Sequence, residues 1–361
     1  MKKRIKLFDP FVGKEEEKDV ISTLRTHNWA SGSGNFKVHE FEEKFRKYIG
    51  SSYCIAVNSG TAALHLALSL MNIRNKEVIL PSLSFVATAH AVIMNGGKPV
   101  FVDVDPKTLC IDTNKIESVL NKNTRVILPV HFGGHPCEIN HIKKLCARYM
   151  IKCVDDAAHA TGSTYHGKKI GSFNFVTCFS FHPVKNLAMP TGGAITLSKD
   201  FNTNHEKILK SRRWCGISTR KGHLYEVREI GWNYYMNEFS ASIGLTQLKK
   251  LNKIISIKQA IAKRYSQEIK LIEKMSFSKD CSYHLYWIQV KNRTKFMKFM
   301  NENNIETGIH YKPIHKMKFY NKTQRLPITE KIGEKIVSIP IHANLSNSEV
   351  TRIIKLINSF S

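Results

Sequence analysis

Short apolar runs alternate with helically spaced apolar residues along much of the chain. Runs of strand length lie at 53–57, 77–80, 100–104, 126–130, 152–154, 175–181 and 193–197. Helical spacing of apolar residues lies between the first five of them, at 61–70, 86–94, 113–120 and 139–149. Buried strands that alternate with helices form parallel sheets covered on both faces. The pattern therefore predicts an α/β fold in which a mainly parallel sheet lies between helices.

The pattern differs at the two ends of the chain. Before the first strand it predicts helices at 15–24 and 41–49, separated by a glycine-containing loop at 28–34. Past residue 250 it predicts a continuing amphipathic helix at 245–272, a strand at 284–290, and helices at 293–303 and 348–359. We therefore expect a large domain, residues 1–250, whose first 30 residues are free to pack elsewhere, and a small C-terminal α+β domain, residues 251–361.

Composition indicates which cellular compartment is expected for the protein. The chain has 361 residues, of which 42% are hydrophobic, but it contains no run of about 18 apolar residues, so no membrane span is predicted. The basic start is followed by acidic residues without an apolar segment, which argues against a signal peptide. Eight scattered cysteines form no CxxC pair. This indicates reduced thiols in a cytoplasmic protein and gives no support for a metal site.

The formal charge of +26 has two interpretations. A lysine-rich surface attracts phosphorylated small molecules, and a basic protein can also bind nucleic acid. The basic residues are spread along the chain and accompany no helix-turn-helix, zinc-finger or RRM pattern. An anionic substrate such as a nucleotide diphosphate is therefore favoured, and a nucleic-acid-binding regulator without catalytic activity is the alternative.

Two ionisable side chains follow buried strands. Asp156 stands at the carboxyl end of one strand, the edge where open α/β sheets bind ligands. A buried carboxylate needs a cationic partner, and a protonated pyridine nitrogen is one, although a helix cap is the alternative role. Lys185 enters a loop from an aromatic strand, where a lysine can form a Schiff base and move a proton. Ser180, at the end of that strand, can offer a hydroxyl to a phosphate.

The segment that follows the first strand resembles an anion site. Gly60 turns the chain directly into a helix, so the backbone N–H groups of Gly60, Thr61 and Ala62 are free to bind a phosphate. Phe85 can stack on a flat ring, with core packing as the alternative. These features indicate a cofactor site only in combination with Asp156 and Lys185.

Taken together, these motifs are recognisable as a set. The matching segments are 59–66, 85–88, 101–105, 129–134, 155–160, 179–186, 231–248, 310–315 and 338–342. In these segments the chain resembles the DegT/StrS family of nucleotide-sugar aminotransferases, which depend on pyridoxal 5′-phosphate (PLP). The family is a branch of the fold-type I PLP transferases, and the resemblance covers nearly the whole chain.

The resemblance implies a role for each residue that matches the family pattern. Lys185 corresponds to the Schiff-base lysine and Asp156 to the aspartate that faces the pyridine nitrogen. His159 corresponds to the residue near the ring oxygen, and Phe85 to the aromatic side chain stacked on the ring. The phosphate cradle corresponds to Gly60, Thr61, Ala62 and Ser180.

Further correspondences concern the substrate and the assembly. Asn233 matches an asparagine that reaches the phosphate from the neighbouring subunit, which implies a homodimer with shared active sites. Relatives often carry arginine two residues later, where this chain has Tyr235, so a contact inherited at that place is in doubt. Weaker correspondences suggest contacts to the sugar or its diphosphate from Trp29, Ser31, His310 and Lys312.

The resemblance also implies a reaction. Glutamate would supply the amino group through PLP and its pyridoxamine form, and the acceptor would be a nucleotide-linked keto sugar. A 4-keto-6-deoxyhexose is favoured, with a 3-keto sugar as the alternative, for amino-sugar synthesis in surface polysaccharides or glycans. A cyclitol aminotransferase and a PLP-dependent sugar dehydratase share the scaffold. Lys185 argues against the dehydratase, because the deoxygenating branch of the family carries histidine at that position.

Overall fold

A computed structural model describes residues 4–32, 34–221, 223–320 and 324–360. Its α-helices are α1 (Lys14–Arg25), α2 (Lys37–Ile49), α3 (Gly60–Ser69), α4 (Ala87–Met94), α5 (Ile139–Tyr149), α6 (Thr203–Arg213), α7 (Glu238–Glu268), α8 (Arg293–Glu302), α9 (Pro327–Lys335) and α10 (Asn347–Ser359). Its strands are β1 (Tyr53–Val57), β2 (Glu77–Pro81), β3 (Lys98–Val102), β4 (Thr124–Ile127), β5 (Lys152–Asp156), β6 (Thr164–Tyr165), β7 (Lys168–Lys169), β8 (Val176–Ser180), β9 (Gly193–Leu197), β10 (Ile217–Lys221), β11 (Leu224–Val227), β12 (Tyr286–Gln289) and β13 (Ile336–Ile339).

A seven-stranded sheet, formed by the described residues, lies at the centre. Its order is β1-β9-β8-β5-β4-β2-β3. The pairs from β8 to β3 are parallel, whereas β9 runs antiparallel to both β1 and β8. Each of the seven strands overlaps an apolar run in the sequence, although β3 and β4 begin two residues before the predicted runs. The predicted α/β fold with a mainly parallel sheet is confirmed.

The sheet is apolar on both faces, and successive residues of one strand serve opposite faces. In β1, Ile55 and Val57 pack into one buried cluster and Cys54 and Ala56 into the other. Helices α3 and α4 belong to the first cluster, and α2, α5 and α7 to the second. This explains why the strands read as continuous apolar runs and lack the alternation of a half-exposed sheet.

Two element predictions need correction. The predicted helix at 113–120 is a pair of short 3-10 turns, Thr113–Lys115 and Glu117–Val119. In this segment only Thr113 and Ile116 are fully buried, so no apolar stripe supports a longer helix. The long helix begins earlier than predicted, at Glu238, because the Asn237 side chain caps it by accepting from the Ser240 N–H.

The C-terminal part of the chain packs closely with the rest. Strands β12 and β13 form an antiparallel pair flanked by α8 and α10, and their apolar residues join the same buried cluster as α2 and α7. Helix α7 continues through residue 250. The division into two domains at that residue stays a prediction. No helix in the described ranges is long and apolar enough to cross a membrane.

A buried ion pair ties α2 and α6 to the edge strand β1. Arg213 donates from Nη1 to Glu42 Oε1 at 2.6 Å and to the Ala56 carbonyl at 2.9 Å. Glu42 Oε1 also accepts from the Ala56 N–H at 2.8 Å. Both charged side chains are almost completely buried, so neither can be hydrated if its partner is removed.

We expect Glu42→Gln to lower the free energy of unfolding by about 3 kcal/mol, because the Arg213 charge would remain buried without its counter-charge. Chemical denaturation measures the change. Glu40→Gln is the matched control, since Glu40 lies in the same helix and pairs with exposed Lys44; its effect should stay within about 1 kcal/mol. Equal effects for the two variants would contradict the importance of the buried pair.

Candidate active site

A cavity of about 310 Å³ opens at the carboxyl ends of the parallel strands. Its wall includes Asp156 at the end of β5 and Ser180 at the end of β8. The start of α3 forms a second wall, and His284 and Tyr311 from the C-terminal part of the chain form a third. Ligands of open α/β sheets bind at this edge, and the volume suits a small-molecule site.

Asp156 is buried at the floor of the cavity. Thr88 Oγ1 donates to Asp156 Oδ2 at 2.8 Å, and the Ala158 N–H donates to Oδ1 at 3.1 Å. Burial raises the pKa of Asp156 above its ordinary value, although these two donors and Lys185 oppose that shift. The carboxylate is therefore a site at which a bound cation would be strongly favoured.

Lys185 carries a buried amine into the same cavity. Burial lowers the pKa of Lys185 to about 8, and the charge of Asp156 partly opposes this. The lysine loop is fixed by its next residue, because Asn186 Nδ2 donates to the Ser282 carbonyl at 2.9 Å and Asn186 Oδ1 accepts from Lys258 Nζ at 2.7 Å. At neutral pH about a tenth of such an amine is unprotonated and nucleophilic, far more than for an ordinary lysine.

The start of α3 forms a cradle beside the amine. Gly60, Thr61 and Ser180 line the cavity. A Cβ atom on Gly60 would lie 2.7 Å from Ser180 Cβ, so only glycine allows this close approach. Ala62 does not line the cavity, and its N–H donates to the Ser59 hydroxyl at 3.1 Å. The unbound donors at the helix start favour a phosphate.

Aromatic and imidazole side chains occupy the opposite wall. Phe85 is 57% exposed and lies in the cavity, so it does not pack in the core. His159 Nδ1 accepts from the Gly133 N–H at 3.3 Å, and His159 Nε2 lies 3.0 Å from the Tyr311 hydroxyl. Burial, together with Lys185 and His310, lowers the pKa of His159 well below its ordinary value. The ring is therefore neutral, with its proton on Nε2 and donated to Tyr311.

The remaining residues singled out in the sequence differ in position. His310 lines the cavity, whereas Trp29, Ser31, Lys312 and Asn233 do not. The indole of Trp29 donates to the Leu24 carbonyl at 3.1 Å. Asn233 is exposed, and its carbonyl accepts from Asn58 Nδ2 at 3.2 Å. Within one chain, the structure does not bring these four residues to the cavity.

Among the cavity residues that the sequence did not single out, Thr88, Tyr311 and His284 contact the side chains of Asp156, His159 and Lys185. Thr88 and Tyr311 lie in segments that carried the family resemblance, so a role for them could have been sought there. His284 begins the predicted strand at 284–290, and no local pattern distinguishes it. Its contact with the Lys185 amine joins residues 99 positions apart.

The cavity groups fit PLP. A buried carboxylate in need of a cation, a buried amine, a glycine-dependent anion cradle and an exposed aromatic face converge on one cavity. They match, in turn, the pyridine nitrogen, the aldehyde, the phosphate and the flat ring of that cofactor. Fold and site thus define a fold-type I PLP transferase.

Comparison with known proteins identifies the family. Residues 10–358 match the model of the DegT/DnrJ/EryC1/StrS aminotransferase family. The chain belongs to this family and is a PLP-dependent aminotransferase, as the sequence resemblance predicted.

Relatives cover the whole length of the chain. GDP-perosamine synthase of Escherichia coli O157:H7 is 33% identical, with 99% of each chain covered. Among solved structures, Helicobacter pylori PseC, an aminotransferase of pseudoaminic acid biosynthesis, has a TM-score of 0.91 at 28% identity, with 98% of each chain covered. The sugar aminotransferase CalS13 of Micromonospora echinospora has a TM-score of 0.91 at 27% identity, with 98% of this chain and 99% of that chain covered.

We expect Gly60→Ala to weaken PLP binding about tenfold or more, because the new methyl group would displace Ser180 from the cradle. Titration of the apoprotein with PLP, followed by visible absorbance, measures the dissociation constant. Gly13→Ala is the control, since a Cβ atom there meets nothing within 4 Å. An unchanged dissociation constant in the Gly60 variant would argue against phosphate binding at the start of α3.

Proposed function

We propose that this chain transfers an amino group from glutamate to a nucleotide-linked keto sugar, with a 4-keto-6-deoxyhexose as the favoured acceptor. The product would serve the synthesis of surface polysaccharides or glycans that contain amino sugars. The observation that carries the proposal is the convergence of the Lys185 amine and the Asp156 carboxylate on one buried cavity. The names of the relatives, among them a GDP-perosamine synthase, support the substrate class.

In this proposal Asp156 and the α3 cradle hold the cofactor. Bound PLP supplies an electron sink for the charge left when a proton leaves the substrate carbon. Asp156 would pair with the pyridine nitrogen and keep it protonated, while Thr88 holds the carboxylate in place. Gly60, Thr61 and Ser180 receive the phosphate. Phe85 covers one face of the ring.

Lys185 has two tasks. With PLP bound, it would hold the cofactor covalently between turnovers, and as a free amine its Nζ would take the proton from the donor α-carbon. The same atom then returns a proton during the transfer to the acceptor. A pKa of about 8 suits both directions, because proton transfer is fastest when the pKa of the group lies near the working pH.

The cavity wall favours an uncharged sugar. Burial lowers the pKa of His159 and His284 well below the ordinary value and that of His310 to about 4, so these imidazoles are neutral. Neutral imidazoles and the Tyr311 hydroxyl can donate to and accept from sugar hydroxyls. We assign His310 to such a contact. The charge of +26 attracts the diphosphate.

We further propose a cytoplasmic homodimer with shared active sites. Asn233 is exposed and lies outside the cavity of its own chain, which is compatible with binding the phosphate of a neighbour's cofactor. Trp29, Ser31 and Lys312 are assigned to substrate contacts of the same dimer. All eight cysteines are free thiols, which supports a reducing compartment.

The decisive experiment mixes the purified protein with glutamate and a panel of nucleotide-linked keto sugars, and follows amino-sugar formation by mass spectrometry. We expect the wild-type protein to form product from at least one 4-keto-6-deoxyhexose, and Lys185→Met to form none. Lys250→Met is the control and should turn over normally, because Lys250 pairs with Glu16 away from the cavity. If product forms only from a keto cyclitol, the acceptor is a cyclitol and not a nucleotide-linked sugar. Turnover by the Lys185 variant would refute the assigned role.

The shared site makes a second prediction. Lys185→Met and Asn233→Asp, each inactive or nearly so by itself, should complement one another when co-expressed, because a mixed dimer contains one site with both residues intact. Purified mixed dimers should have about half of wild-type activity, because one of their two sites is intact. Affinity purification of doubly tagged mixed dimers provides the measured sample. Absence of recovery in confirmed mixed dimers would place Asn233 outside the neighbour's site.

A further inference from the structure

The free Lys185 amine has a neighbour to which the proposed mechanism assigns no task. His284 Nε2 lies 3.3 Å from Lys185 Nζ. The side chain of His284 is 1% exposed, and it comes from the C-terminal part of the chain, immediately before β12. An imidazole at this distance can accept a hydrogen bond from an ammonium group or donate one to a neutral amine.

Ring packing sets the position of His284. Phe8 stacks on it with ring centroids 5.4 Å apart and an interplanar angle of 11°. His159 lies against it at 4.4 Å between centroids. The backbone of His284 is also held, because its carbonyl accepts from Lys258 Nζ at 3.3 Å. These contacts therefore fix the position of the ring, but none of them determines which ring nitrogen carries the proton.

Nδ1, the other ring nitrogen of His284, has an unusual environment. Among the described residues, none forms a hydrogen bond with His284 Nδ1, although the atom is buried. A partner at Nδ1 normally decides which nitrogen of a histidine carries the proton. His159, by contrast, is fixed by the Gly133 N–H. His284 can therefore present either a donor or an acceptor to Lys185.

We propose that His284 is a positioning residue that holds the Lys185 amine whenever this amine is released from the cofactor, and that its ring accepts from the protonated amine or donates to the neutral one. The inference rests on the proposed role of Lys185. Such a partner would keep Nζ directed into the cavity while it carries the substrate proton. It would also favour the ammonium form, because a hydrogen bond from a charged donor is stronger than one between neutral groups.

The charges around His284 keep its ring neutral. Burial lowers the pKa of His284 well below its ordinary value, and nearby groups lower it further: Lys185, His159, Lys258 and His310. Around Lys185 itself the facing groups are Asp156, His284, His159, His182, His310 and Lys258. Asp156 is the one carboxylate among these groups, and His284 supplies an uncharged acceptor in direct contact with the amine.

The test measures the pKa of Lys185 in the full-length chain freed of cofactor. Acetic anhydride acylates unprotonated amines, and mass spectrometry of the Lys185 peptide gives the extent of labelling at each pH. The wild-type midpoint should lie near pH 8. His284→Met should lower it by about one unit, since the acceptor of the ammonium proton is lost. His284→Gln, of similar size but able to accept, should restore most of the difference.

A control separates this effect from general damage. His65→Phe removes another buried imidazole, which contacts the Tyr234 hydroxyl at 3.0 Å and does not line the cavity. We expect it to leave the Lys185 midpoint unchanged. Circular dichroism confirms that each variant is folded. Equal midpoints for the methionine and glutamine variants, or no shift in either, would overturn the proposal. Because labelling needs neither cofactor nor turnover, that result would leave the proposed function standing.

Discussion

The site depends on burying an amine and a carboxylate in one cavity without allowing them to neutralise each other. Burial disfavours the charged form of each group, and it shifts their pKa values toward each other. Thr88 and the Ala158 N–H hold the Asp156 carboxylate, whereas among the described residues Lys185 Nζ is hydrogen-bonded to His284 alone. The carboxylate is thus left for a cation brought in by a ligand, and the amine is left as a nucleophile and base.

The sheet places these groups close together. Strands β5 and β8 are parallel neighbours, and Asp156 lies opposite Cys178 in their register. Ser180 therefore ends the adjoining strand on the same edge. Strand β9 runs antiparallel beside β8, and its first residue approaches the carbonyl of Ser59 so closely that only glycine fits at position 193. This contact sets the start of α3 against the end of β8.

Local sequence explains most of the large elements. The seven central strands overlap apolar runs, because strands buried on both faces cannot contain polar residues without a penalty. The prediction failed at 113–120, where helical spacing exists but the surroundings bury only two side chains. Helix α6 and the hairpin β10–β11 were not predicted. The residues of β11 are exposed, so no burial pattern marks this strand.

The sequence by itself determined the sheet and the family. It also placed Asp156 and Ser180 at strand ends, Gly60 at a helix start and Lys185 in the loop after β8, because a local pattern reveals such positions. Tertiary structure alone decided which side chains surround them. Thr88, His284 and Tyr311 reach the cavity from distant parts of the chain, and Ala62 does not line the cavity, with its N–H bound to Ser59. The physical reason is that pKa values and hydrogen bonds depend on burial and on distances between atoms, which sequence spacing does not specify.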